Sequence, residues 1–498
     1  MSRFTNKTSG INTTTNYEGE VAYKLSPEME LYTAICCASL QPKFYVPNVQ
    51  DDLDRIKGLV RRVDPEFVAK LAVYAREQMY LRSIPLVLTV ELAKICSGSL
   101  LQALTTRIIQ RADEITEILG YYQLANQRTE TKKLNKLSSG IKKGIAESFH
   151  KFDEYQFAKY NRDTDIKLRD ALFLTHPKPA NPKEEQLFKK IADNSLDTPY
   201  TWETQLSEAG QKGISKKQIW EELIDSGKVG YMAMLRNLRN ICEGEVSWSH
   251  IEKVANFIAN PERVKKSKQL PFRFLSAYRE LKKIDSRYVP PILEALEEAV
   301  KASVHNLEGF GYNTSVLIAC DVSGSMQTNI SPKSVVQYYD IGLMLAMLLQ
   351  HKSKNVVSGF FGNIWKSLQL PRQNILANVD EMHRRAGEVG YSTNGYLVID
   401  WANTVMGGFD KIMIFTDCQM WNSYGDNNIT QSWNIYKQKN PNSKLYLFDL
   451  VGYGKIPINL STKDVFLIAG WSDKIFDVLK AIEAGENALS EINKIGLK

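Results

Sequence analysis

The chain has no CxxC pair, no HExxH segment and no GxxxxGK[ST] loop, and each absence removes a class of chemistry. Without clustered Cys and His there is no zinc site or disulfide framework to read. Cys36, Cys37, Cys96, Cys242, Cys320 and Cys418 have mostly apolar neighbours and are expected as buried free thiols. Without HExxH there is no metalloprotease helix, and without the phosphate-cradling loop ATP hydrolysis is not expected. Long apolar runs are also missing. The longest, Ile341 to Leu349, falls far short of the roughly 20 residues that a membrane-spanning helix needs. Residues 1 to 20 are polar, rich in Thr and Asn, and lack the apolar centre of a secretory signal. A cytoplasmic protein with no membrane association is the expectation.

What is present is material for more than one domain. At 498 residues, with 43% hydrophobic and 24% charged residues, the chain has the make-up of a multidomain globular protein. Its charge is uneven. Residues 311 to 498 carry 17 Lys+Arg against 16 Asp+Glu, whereas residues 1 to 310 carry 46 against 40. Lysines cluster in that first part, at Lys132, Lys133, Lys136, Lys142 and Lys143 and again at Lys265, Lys266 and Lys268. A lysine run usually marks a solvated helix face, and the overall excess suggests a polyanionic partner.

The texture of the chain changes once. Residues 1 to 24 read as a flexible arm, and residues 25 to 305 read as helix after helix. Leu53, Ile56, Val60 and Val63 fall at helical spacing; Asp64 then offers a cap and Pro65 a first-turn residue for the next helix, with Ser83 before a third. Short helices joined by tight turns cannot each bury an apolar stripe alone, so they are expected to stack as an α-solenoid, HEAT-like because no crisp period is visible. After Pro290-Pro291 and Gly309-Phe310-Gly311, residues 311 to 498 alternate strands with helices: Ser315 to Cys320, Val335 to Leu349, Val356 to Phe361, a helix after Gln373, Ile412 to Phe415, and Lys444 to Val451. That alternation predicts a parallel sheet covered on both faces.

The most telling segment is Asp321-Val322-Ser323-Gly324-Ser325, on a strand-to-helix turn. A carboxylate and two hydroxyls on one short loop suit a hard divalent cation, which takes oxygen ligands. Two later segments offer more oxygens: the polar loop Gly390 to Asn394, and Asp417 at the end of an apolar run. The bland alternative is that Asp321 and Ser323 simply cap a helix. The spacing resembles the metal-ion-dependent adhesion site of von Willebrand factor A domains. The resemblance implies a cation, Mg²⁺ first and Mn²⁺ or Ca²⁺ as alternatives, held by Asp321, Ser323, Ser325 and Thr393 with Asp417 in or just behind them. Ser392 stands where a glycine is usual.

A helical array followed by such a domain resembles the Ro ribonucleoprotein family, whose defining region is the TROVE module. Leu270 to Leu275 (LPFRFL), Ala233 to Leu238 (AMLRNL) and Leu174 to Pro179 (LTHPKP) are similar to its signatures. The resemblance implies a solenoid closed into a ring by a Rossmann-like A-type domain. It implies binding of Y RNA on a basic outer surface and of single-stranded 3′ ends of misfolded noncoding RNAs in a central cavity. It further implies a non-enzymatic, monomeric adaptor in RNA quality control, of the bacterial type that works with an exoribonuclease. Lys159, Tyr160, Arg162, Arg169, His176 and Lys178 are the expected RNA-binding residues, with Asp163 weakening the local charge, and Arg236 and Arg239 are added as a helically spaced stripe. The rival reading is a metal-dependent protein-recognition module on a helical scaffold. A metal-dependent nuclease is less favoured, because one oxygen cup lacks a paired metal or an evident general base.

Overall fold

The computed structural model describes residues 13–38, 48–127, 136–161, 164–303, 310, 313–331, 334–421 and 428–497. Its strands are β1 (Thr13–Thr15), β2 (Val21–Lys24), β3 (Ser315–Asp321), β4 (Asn355–Phe361), β5 (Trp365–Leu368), β6 (Lys411–Thr416), β7 (Lys444–Asp449), β8 (Lys455–Ile456) and β9 (Val465–Ala469). The chain divides into two units. One comprises residues 1–53, 271–276 and 304–489, and the other residues 54–270, 277–303 and 490–498.

In the α/β unit the main sheet runs β5-β4-β3-β6-β7-β9. Its apolar strands are buried on both faces: Val316 to Ala319 and Ile412 to Phe415 have no exposed surface. Each large side chain buried this way contributes about 1.5–3 kcal/mol. Helices Tyr338–Lys352, Ile375–Arg385, Tyr396–Ala402, Ile429–Lys439 and Ile475–Glu483 belong to this unit. The sheet is not wholly parallel, as the alternation had suggested. β5 returns antiparallel to β4, with Phe361 opposite Trp365, because only a tight turn through Gly362 joins them and a parallel crossover needs a far longer link. β3 pairs in parallel with β4 on one side and β6 on the other. The strand order therefore reverses direction between β3 and β6, at the carboxyl-end crevice where ligands of such sheets bind.

The described part of the expected flexible arm, residues 13–24, is a hairpin. β1 pairs with β2 and β2 with β8, Tyr23 facing Ile456. Asn16 holds its turn: Oδ1 accepts from the amides of Glu18 and Glu20, and Nδ2 donates to the Met420 carbonyl at 2.6 Å. The polar composition hid this segment, because its order comes from strand pairing and one asparagine rather than from apolar content. Helix Pro27–Cys36 also belongs to the α/β unit, not to the helical array expected from residue 25. The Tyr32 hydroxyl donates to the Ala469 carbonyl and accepts from its amide, and Cys37 Sγ donates to the Asp449 carbonyl.

The helical unit follows the sequence closely. Asp64 caps helix Pro65–Glu77 by accepting from the amides of Glu66 and Phe67. Helix Pro65–Glu77 packs on Ser83–Leu92, and Trp248–Ala259 on Val289–Ala302. Helix Ser99–Ile108 packs on Ser139–Ser148 across an intervening helix, Ala112–Ala125, so pairing is not always sequential. That pair is close because Gly144 faces Thr105: a Cβ on Gly144 would lie 2.5 Å from the Thr105 Cβ. Arg76 and the fully buried Glu114 form an ion pair at 2.8 Å, and Glu114 also accepts the amides of Gln110 and Arg111. The expected free thiols are free: five of the six cysteines are buried and Cys96 is half-buried. Among the described residues no helix is long and apolar enough to cross a membrane.

Candidate functional site

Asp321 ends β3 and Asp417 directly follows β6, so the parallel pairing of these two central strands brings the two carboxyl groups to one edge. Both are 1% exposed, as is Ser323, while Ser325 and Thr393 are 3% and 4% exposed. Each oxygen of the Asp321 carboxylate accepts a hydrogen bond and keeps a further lone pair. Its Oδ1 accepts from the Ser323 amide at 2.9 Å and its Oδ2 from the Thr416 hydroxyl at 2.7 Å. The Ser323 and Ser325 hydroxyls lie 3.3 Å apart.

The second loop is fastened to the first. The Gly324 amide donates to the Tyr391 carbonyl at 3.1 Å, and Asn363 Oδ1 accepts from the Ser392 amide at 3.0 Å. Gly390 has a φ of +72°, and a Cβ there would strike Asn363 Oδ1, so a side chain is barred on both counts. Ser392 in place of the usual glycine is accommodated, since its amide is the part used. The third loop joins the second through the Trp421 amide, which donates to the Thr393 carbonyl at 3.2 Å.

At this edge Thr393 Oγ1 and Asp417 Oδ2 are buried and have no hydrogen-bond partner among the described residues. Buried polar atoms are nearly always satisfied, so an orphan pair beside two carboxylates asks for a cation or its waters. Burial raises the pKa of Asp417 and that of Asp321, and at Asp417 the negative charge of Asp321 adds to the effect. A cation would remove that penalty. The donor set, two carboxylates and three hydroxyls, fits a hard divalent ion that retains water. Among the described residues there is no cluster of three or more His, Cys, Asp or Glu placed to hold a metal ion, so a cation here would rest on two carboxylates, hydroxyls and water. Asp321, Ser323, Ser325, Thr393 and Asp417, all expected from the sequence, thus meet at one sheet edge. Thr416 was missed. Its only signal is adjacency to Asp417 on a strand whose end aligns with that of β3.

The expected RNA-binding residues are spread over three helices and a loop. Lys159 and Tyr160 close helix Glu154–Tyr160. Lys159 is exposed, 5.6 Å from the centres of both the Tyr155 and Tyr160 rings. One face of Tyr160 is covered by the Arg111 guanidinium at 4.3 Å, which restricts its use as a stacking platform. Arg169, in helix Leu168–Thr175, lies 5.6 Å from the centre of the exposed Phe173 ring. His176 ends that helix in the left-handed region, φ +51°, with its side chain exposed, and Lys178 is exposed in the loop that follows. Arg162, like Lys132 and Lys133, lies outside the described residues. On helix Tyr231–Glu243, Arg236 is exposed, whereas Arg239 is held by Glu243 at 2.8 Å and Glu280 at 3.3 Å. The proposed stripe is therefore one available cation and one neutralised one.

A TROVE domain model matches residues 46–197 and 193–289, and a Ro60 vWA domain model matches residues 315–482. The chain belongs to the Ro family. That family is one of RNA-binding ribonucleoproteins. The fold is similar to that of the Ro (RSR) protein of Deinococcus radiodurans in its crystal structure, with a TM-score of 0.60 and 18% identity over 93% of this chain and 100% of that one. Among curated proteins, telomerase protein component 1 of Rattus norvegicus is 26% identical over 346 residues, covering 52% of this chain and 13% of the relative. The same protein of Mus musculus matches to the same extent. The matched stretch thus spans only 13% of the length of those relatives.

Proposed function

We propose that this Ro-family chain is a non-catalytic RNA carrier. Its helical unit grips structured RNA bearing a single-stranded 3′ end, takes a Y-like RNA on a second basic surface, and presents RNA to an exoribonuclease in quality control. The observation that carries this reading is the set of exposed cations laid over aromatic rings, Lys159 by Tyr155 and Arg169 by Phe173, none of them with a carboxylate partner among the described residues. Phosphates would draw the cations and bases would stack on the rings, a combination that suits single strands of any sequence. The test is a titration of tailed, structured RNA across a salt series. Affinity should fall steeply as salt rises and weaken when the tail is removed; a series flat in salt, or indifferent to the tail, refutes the reading.

In the α/β unit, Asp321, Ser323, Ser325, Thr393 and Asp417 would hold a divalent cation, Mg²⁺ in the first instance. Bound there, the ion supplies an electrophilic coordination position. The protein's part is to orient that position: Thr416 and the Ser323 amide fix Asp321, and the Gly324–Tyr391 bond fixes the loop that carries Thr393. A second reading, protein recognition through this ion, is favoured by Tyr391 and Trp421, whose exposed side chains belong to the same loops. Co-purified nucleic acid that ribonuclease removes supports the first reading; a stoichiometric acidic protein supports the second.

A further inference from the structure

Within the helical unit a cleft of about 270 Å³ opens between helix Glu154–Tyr160, the start of helix Trp202–Lys212 and the first turn of helix Tyr231–Glu243. Its lining includes Tyr155, Trp202, Lys159 and Lys228 and no carboxylate. Gly230, Tyr231, Met232 and Ala233 also line the cleft, and Gly230 contributes no side chain to fill the space. The volume lies just below the usual range of small-ligand sites, about 300–1,000 Å³, a size suited to a single nucleotide.

The rings around the cleft differ in how they are covered. Trp202 is stacked on Trp220, and Tyr231 on Phe257 with its hydroxyl bonded to the Ile258 carbonyl; these are structural. Tyr155, by contrast, is 43% exposed and carries Lys159 at 5.6 Å, and Tyr200 at the rim is 38% exposed and carries Lys228 at 4.7 Å. Neither lysine has an ion-pair partner among the described residues. The Tyr155 hydroxyl donates to the Tyr200 carbonyl at 3.3 Å, which links the two rings' positions. A ring covered only by a flexible ammonium can exchange that cover for a base, and the displaced ammonium then stays within reach of the base's own phosphate. We propose that this cleft binds one unpaired RNA nucleotide, with its base on Tyr155 and its phosphate between Lys159 and Lys228.

The proposal rests on the RNA-binding reading and narrows it to a base-recognising subsite, so the test uses the full chain and two probes of equal phosphate count: hexauridylate, and an abasic ribose-phosphate hexamer. Tyr155→Leu should weaken hexauridylate binding by about tenfold and leave the abasic probe unchanged, while Tyr155→Phe, which keeps the ring, should match the parent and so exclude misfolding. Lys159→Gln combined with Lys228→Gln should weaken both probes and lower the salt slope by about 0.7, the counterion release of one single-strand phosphate. If the parent binds RNA but Tyr155→Leu treats both probes as the parent does, the subsite is wrong and the RNA-binding reading stands. If the parent binds neither probe nor tailed RNA, both readings fall together.

Discussion

Thr416 Oγ1 donates to Asp321 Oδ2 at 2.7 Å, tying the carboxyl end of β6 to that of β3. With the Ser323 amide on Oδ1, this bond fixes the orientation of Asp321, whereas Asp417 Oδ2 and Thr393 Oγ1 have no hydrogen-bond partner among the described residues and would be the atoms open to the proposed ion and its waters. On the proposed cation site, one carboxylate would be an oriented anchor and the other an open ligand. Removing either should have different consequences.

Asp321→Ala should abolish measurable Mg²⁺ or Mn²⁺ binding in calorimetry, while Thr416→Val, which only unfastens the anchor, should weaken it by about 10- to 100-fold. RNA affinity should be unchanged in both variants. Unaltered metal binding in Asp321→Ala would mean that the cup is misassigned.

The same pair makes metal-free stability fall with pH. Burial raises both carboxyl pKa values above the ordinary 3.8, so the folded state binds more protons than the unfolded one and stability is lost as pH climbs toward about 8, the raised value at Asp417. Added Mg²⁺ should restore it at neutral pH. Melting temperatures in chelator and in excess Mg²⁺, measured from about pH 5 to about pH 8, should therefore diverge as pH rises. Parallel curves would count against the site.

Arg236 and Arg239 sit one turn apart yet should behave differently. Arg236→Gln should weaken tailed-RNA binding and reduce the salt slope by about one, as expected for loss of a phosphate contact. Arg239→Gln should do neither, because Glu243 and Glu280 already hold that guanidinium. Equal effects on the slope would show that the ion pairs open on binding.

Glu114→Ala should destabilise the helical unit by about 3–5 kcal/mol in denaturant titration, since it leaves Arg76 charged and buried without its partner. Replacing Arg76 and Glu114 together by Met and Leu should recover much of that loss. A single-variant cost near zero would show that water reaches the pair.

Much of this was legible because it is written in local pattern. The Asp64-Pro65 helix start, the order of strands and helices after residue 310 and the place of the Asp-x-Ser-x-Ser turn at the end of a strand each depend on near neighbours and stand as read, whereas the wholly parallel sheet does not. What was not legible depends on partners far along the chain. Tyr160 and Arg239 are both expected from the sequence to meet RNA, and the sequence carries no sign that Arg111 covers one face of that ring or that Glu280 holds that guanidinium.

By itself, then, the sequence determined most of the helices, the central strands of the sheet and which short loop carries clustered oxygens, because backbone periodicity and side-chain chemistry act over a few residues. Tertiary structure alone decided that the polar stretch 13–24 is a paired hairpin, that residues 25–53 belong with the sheet, and that residues 490–498 belong with the helices. It also decided which oxygens remain unpartnered, since a buried donor set is defined by every strand and loop that fails to satisfy it, and no single segment records that sum.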